Sequence, residues 1–122
     1  MINMFGQGMT THQADDALME LCESEKEGAK QLNLAENVVE HVPHATLTLT
    51  SLEALWMQGN MMKHMGHITM LVKLRLIDLS QNRLEEVPRE IKHLELLEEL
   101  YLRDNLISEL PREMMTLEEL AL

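Results

Sequence analysis

"LRLIDLSQNRLEEVPREIKHL" (residues 74–94) and "LEELYLRDNLISELPREMMTL" (residues 97–117) are one pattern written twice, at a spacing of 23 residues. Leu74 falls on Leu97, Ile77 on Leu100, Leu79 on Leu102 and Asn82 on Asn105. Leu84 falls on Ile107, Val87 on Leu110 and Pro88 on Pro111. Two weaker copies precede these in phase. Leu55, Met57, Asn60, Met62 and Met65 take the same slots, and before them Leu32, Leu34, Asn37, Val39 and Val42, followed by Pro43. The asparagines stand at 37, 60, 82 and 105, so one repeat is a residue shorter than its neighbours.

Such a unit is too short to bury its own apolar residues, but stacked neighbours share one continuous core. In each L-x-L the outer two side chains point one way and the middle one the other, because strand side chains alternate. The asparagine stands where the chain turns away from the strand. Its amide both donates and accepts, so it can satisfy backbone groups that the turn leaves unpaired. Asn37, Asn60, Asn82 and Asn105 are therefore expected to form a structural ladder.

The pattern L-x-x-L-x-L-x-x-N-x-L resembles the leucine-rich repeat. The x-x-[LV]-P ending of three copies resembles the intracellular, Ras-suppressor-like subclass. The resemblance covers residues 29–122 and implies an α/β solenoid of four repeats plus a truncated fifth. Its short parallel strands would line a concave face, and helical or irregular segments the convex one.

Ahead of the repeats, Ala14, Ala17, Leu18, Leu21 and Cys22 recur at helical spacing. Thr10 or Thr11 suits the helix start and Gly28 the position after its end. Residues 11–28 are thus expected to form an N-terminal capping helix with Cys22 packed on its apolar face, and residues 1–10 to be disordered. At the other end, "LEELAL" (117–122) begins another repeat at Leu117 or Leu120. This predicts an uncapped coil prone to self-association.

The formal net charge of −11 disfavours sequence-independent binding to nucleic acid or to anionic lipid. No apolar run reaches bilayer-spanning length, and no secretory signal is visible. One cysteine allows no intrachain disulfide. These features fit a soluble, cytoplasmic protein with a protein partner and no cofactor.

"LWMQGNMMKHMGHITM" (55–70) gathers methionines and histidines as a metal box would. Met57, Met62 and Met65, however, stand at core slots filled elsewhere by Leu, Val or Ile, and methionine is an adaptable substitute there. His41 and His64 share a slot in adjacent repeats, and His44 and His67 each follow three residues later. They are weak candidates for a tetrahedral site. The acidic pairs at 85–86, 98–99 and 118–119 read as solvated faces.

The middle residue of L-x-L reads Asn33, Trp56, Asp78 and Tyr101 down the repeats, the column after it Ala35, Gln58, Ser80 and Arg103, and the column before it Gln31, Ala54, Leu76 and Glu99. Trp, Tyr and Arg are enriched at binding hot spots. Trp56, Asp78, Tyr101, Asn33, Gln58, Ser80, Arg103 and Glu99 are therefore the candidate partner-binding residues. Together with the resemblance they suggest an interaction module, not an enzyme, acting as adaptor or scaffold in small-GTPase or kinase–phosphatase signalling. Two other readings stand beside it. One is the recognition arm of a larger kinase or ubiquitin ligase; the other is a histidine-rich metal-binding protein.

Overall fold

The computed structural model describes residues 1–116, which form one parallel sheet joined by turns and short helices. Among the described residues its strands are β1 (Ile2–Asn3), β2 (Gln31–Asn33), β3 (Ala54–Trp56), β4 (Leu76–Asp78) and β5 (Glu99–Tyr101), side by side in chain order. Each repeat makes one turn of the solenoid and returns one strand further along. The paired residues Leu32, Leu55, Ile77 and Leu100 are all fully buried. The second inward column, Leu34, Met57 and Leu79, is buried to the same degree.

The return segments are short 3-10 turns, at His44–Thr48, Ile68–Met70, Arg89–His93 and Arg112–Thr116. Their sequence explains the choice. Apolar residues recur there every third position, as in Ile91, Leu94 and Leu97, and a helix of three residues per turn stacks such side chains on one face. The amides follow the same period: Leu94 N donates to Ile91 O and Leu97 N to Leu94 O, both at 3.1 Å. Ile68, Leu71 and Leu74 repeat the device one coil earlier.

The four asparagines join coil to coil. Asn60 Nδ2 donates to Met57 O of its own coil (3.0 Å) and to Leu34 O of the coil before (2.9 Å), while its Oδ1 accepts from Val39 N (3.0 Å). Asn82 does the same with Leu79 O, Met57 O and Met62 N, and Asn105 with Leu102 O, Leu79 O and Leu84 N. The carbonyls of Leu34, Met57 and Leu79 therefore each accept two amide protons, one from either side. The residue before each asparagine is left-handed: Glu36, Gly59, Gln81 and Asp104 have φ of 57, 71, 55 and 58°. That costs a non-glycine residue about 1–2 kcal/mol, which the asparagine's bonds offset.

The N-terminus corrects the expectation of a disordered 1–10. β1 pairs with β2, and Met4 is 7% exposed. Asn37 Oδ1 accepts from Gln7 N (3.1 Å) and Met9 N (2.8 Å), and its Nδ2 donates to Met4 O (2.8 Å). Gly6 N donates to Ala35 O as Glu36 N does to Gln58 O, and Gly6 is left-handed like Glu36. Residues 1–10 are thus an irregular first rung, held because Asn37 needs a coil to bond to.

The expected capping helix over 11–28 is two helices, α1 (Thr11–Met19) and α2 (Glu23–Gly28). Thr10 closes α1 with a capping box: Gln13 N donates to Thr10 Oγ1 and Thr10 N to Gln13 Oε1. α1 buries Ala14 and Leu18 and packs on the turn at His44–Thr48, where Ala45 N donates to Asp15 Oδ1 (2.7 Å). The break at Glu20–Cys22 turns Cys22 outward. It is exposed at the start of α2, its thiol 3.2 Å from Glu25 Oε1, rather than packed on an apolar face. The expected start of a fifth repeat at Leu117 or Leu120 lies outside the described residues.

Replacing Asn60 or Asn82 by alanine leaves buried backbone groups without partners. Each is expected to destabilise by about 1–3 kcal/mol, whereas Glu95→Ala on the exposed surface changes stability by under about 0.5 kcal/mol. Urea unfolding of the three variants checks this. Near-equal midpoints would remove the ladder as the link between coils.

The concave face as candidate functional site

Strand register sets the surface. Asn33, Trp56, Asp78 and Tyr101 stand directly beside one another on β2 to β5; the first three lie between two buried residues and Tyr101 between buried Leu100 and half-buried Leu102, so alternation turns all four outward. Asn33, Trp56 and Asp78 are half-buried and Tyr101 is exposed. Asn33 and Asp78 also have a local task. Their Oδ1 atoms accept from the N–H two residues on, at Ala35 (2.9 Å) and Ser80 (3.0 Å). In the column after the strand, Gln58 and Ser80 are half-buried and Arg103 is exposed. Two neighbours expected on this surface are not on it: Ala35 and Ala54 are buried, because a single methyl between longer side chains does not reach solvent.

One surface residue lay hidden in the segment expected to be disordered. Phe5 follows buried Met4 and precedes Gly6, whose N–H reaches Ala35 O, so Phe5 joins the column of Gln58 and Ser80 and is 54% exposed. "INMFGQ" (2–7) does carry the signal: Ile2 and Met4 occupy the L-x-L slots and Gly6 the left-handed one. The sequence has one Phe, one Trp and one Tyr, and all three fall on the concave face.

Charge on this face is unevenly matched. Immediately before the strands, Lys30, Glu53, Arg75 and Glu98 alternate in sign from coil to coil. Lys30 lies 3.6 Å from Glu53, Arg75 Nε 3.8 Å from Glu53, and Arg75 Nη1 donates to Glu98 at 2.7 Å. Arg103 leans toward Asp104 at 3.7 Å. Asp78 and Glu99, by contrast, have no cation paired with them among the described residues. Tyr101 OH donates to Glu99 Oε1 at 2.7 Å. That bond holds the phenol neutral and pushes its pKa above the ordinary value, and the negative charges of Glu99 and Asp78 push the same way.

The methionine and histidine stretch separates into two parts. Met57, Met62 and Met65 are wholly buried core. His41, His44, His64 and His67 are exposed, and among the described residues no three His, Cys, Asp or Glu side chains converge as metal ligands. His41 lines a depression of about 200 Å³ with Glu40, Met61, Lys63 and Arg83, a rim of mixed charge.

A family model described as leucine rich repeat matches residues 64–121. The chain is also similar to a solved leucine-rich-repeat protein of Leptospira interrogans, at 30% identity and a TM-score of 0.73 over 83% of its length. The fold is a leucine-rich-repeat solenoid. Internalin C2 of Listeria monocytogenes shares it, with a TM-score of 0.67 over 75% of the chain at 22% identity. The chain spans 26% of the Leptospira protein and 39% of the internalin. No curated protein matches the sequence. Leucine-rich-repeat proteins act generally in protein–protein interaction. Among the described residues no helix is long and apolar enough to cross a membrane.

The chain's single tyrosine makes its ionisation directly readable. Absorbance titration near 295 nm is expected to place Tyr101 above about 10, the ordinary tyrosine value. Removing one nearby negative charge with Glu99→Gln should move it down. An unchanged titration in Glu99→Gln would mean that the Tyr101–Glu99 bond does not persist in solution.

Proposed function

We propose that this chain is a protein-interaction module whose partner docks on the concave sheet, centred on Trp56, Asp78 and Tyr101. One observation carries the reading. An aliphatic protein has placed every aromatic side chain it possesses on one curved face, where none belongs to the repeat core. Trp, Tyr and Arg, which gather here, are the residue types enriched at binding hot spots. Asn33 and Ser80 shape the floor of the face, Gln58 lies between Phe5 and Ser80, and Glu99 and Arg103 border Tyr101. The endings Val42-Pro43, Val87-Pro88 and Leu110-Pro111 support the Ras-suppressor-like subclass. With it comes adaptor or scaffold work in small-GTPase or kinase–phosphatase signalling, in the cytoplasm.

Truncating Trp56 and Tyr101 together to alanine is expected to abolish partner capture, since each hot-spot aromatic contributes about 2 kcal/mol or more. It should leave the cooperative unfolding transition intact, because both side chains stand outside the core. Quantitative pull-down with wild type and the double variant, after matching their unfolding curves, is the measurement. An identical captured set would move the binding surface to the convex side.

A further inference from the structure

We infer that Trp56, Asp78 and Tyr101 form a clamp for a guanidinium, so that the partner segment reaching the concave face presents an arginine side chain there. This rests on the concave-face reading and adds the chemistry of the partner to it.

The spacing is the first argument. Trp56 and Tyr101 are separated by one strand, with Asp78 between them in strict register. Adjacent strands lie about 4.8 Å apart, so the two aromatic positions are roughly 9–10 Å apart at the backbone. A flat group stacked on both sides needs about 7 Å between ring planes, from two contacts of about 3.5 Å. The interval between the two aromatic positions is thus wide enough for one planar cation, and Asp78 stands in register between them. A guanidinium is planar, stacks on aromatic faces and meets a carboxylate through two parallel N–H donors, whereas an ammonium is a hydrated point charge.

Charge is the second argument. The cations bordering the face stand against other carboxylates, Lys30 and Arg75 against Glu53 and Glu98 and Arg103 toward Asp104, and none is paired with Asp78 or Glu99. Asp78 and Glu99 carry the charge left over. Asp78 uses Oδ1 for Ser80 N, and Glu99 uses Oε1 for the Tyr101 hydroxyl. Each keeps a second oxygen to accept from a ligand. The hydrogen bond to Glu99 pushes the Tyr101 phenol above its ordinary pKa, and the charges of Glu99 and Asp78 act in the same direction. A cation entering from a partner is the complement that the chain itself does not supply, and aromatic faces on either side strengthen its hold.

The test uses the full chain and two pools of short peptides with degenerate flanking residues, one fixed with a central arginine and the other with citrulline, its neutral isostere. Immobilised wild type should retain the arginine pool at least tenfold better. The preference should fall to near parity in Asp78→Asn, which keeps the acceptor for Ser80 N, and weaken in Glu99→Gln. Emission of Trp56, the only tryptophan, should change saturably with the arginine pool alone. Equal retention of both pools by wild type, lost in Trp56→Ala/Tyr101→Ala, would overturn the clamp and leave the concave-face reading standing. Retention of neither pool would overturn the clamp, whereas an unchanged captured set in the pull-down would remove the face.

Discussion

The side-chain amide of one asparagine per coil is the interaction on which this molecule depends. A parallel strand of three residues is too short to hold its neighbour by ladder bonds alone, and the turn after it leaves carbonyls and an N–H pointing into the core. Buried unpaired, each would cost about 1–3 kcal/mol. Asparagine answers both needs, since one end donates and the other accepts. Because its partners belong to two coils, the bond that completes a turn also fixes the distance to the coil before. The left-handed residue ahead of it follows from the same constraint. Gly59 takes that conformation freely, and Glu36, Gln81 and Asp104 are held in it.

Once coil spacing is fixed, the surface follows. The ladder and the inward columns on either side of Asn33, Trp56, Asp78 and Tyr101 leave those four no direction but outward. Their separation is that of the strands, so the concave face is a ruler with one side chain per division. The alternating charges at Lys30, Glu53, Arg75 and Glu98 are set to the same spacing and neutralise one another. What is left over on the face, three aromatics and two carboxylates without a cation among the described residues, is available to a partner.

The repeats were legible in the sequence because their constraint is periodic. Asn82 and Asn105, with the leucines around them, state the register outright, and that register placed Trp56 and Tyr101 on the concave face and Met57, Met62 and Met65 in the core. The misread parts lack that period. The first rung has Gln7 where an asparagine would be, and its tie comes from Asn37, about thirty residues away in sequence, so at the ladder slot "INMFGQ" carries no local sign of the rung that places Phe5 on the face. Cys22 lay on a helical stripe that the break between α1 and α2 interrupts. Ala35 and Ala54 stand at outward positions, yet length, which alternation does not encode, decides whether a side chain reaches solvent.

Hydrogen exchange at single amides tests the central claim most directly. The N–H groups of Val39, Met62 and Leu84 lie in the loops after the strands, yet each is accepted by the asparagine of the next coil. If the ladder joins the coils, these three amides exchange as slowly as the strand amides of Leu55 and Ile77 and are released together with them in the cooperative unfolding of the solenoid. Exchange of all three at the rate of exposed loop amides, with the strands still protected, would contradict it.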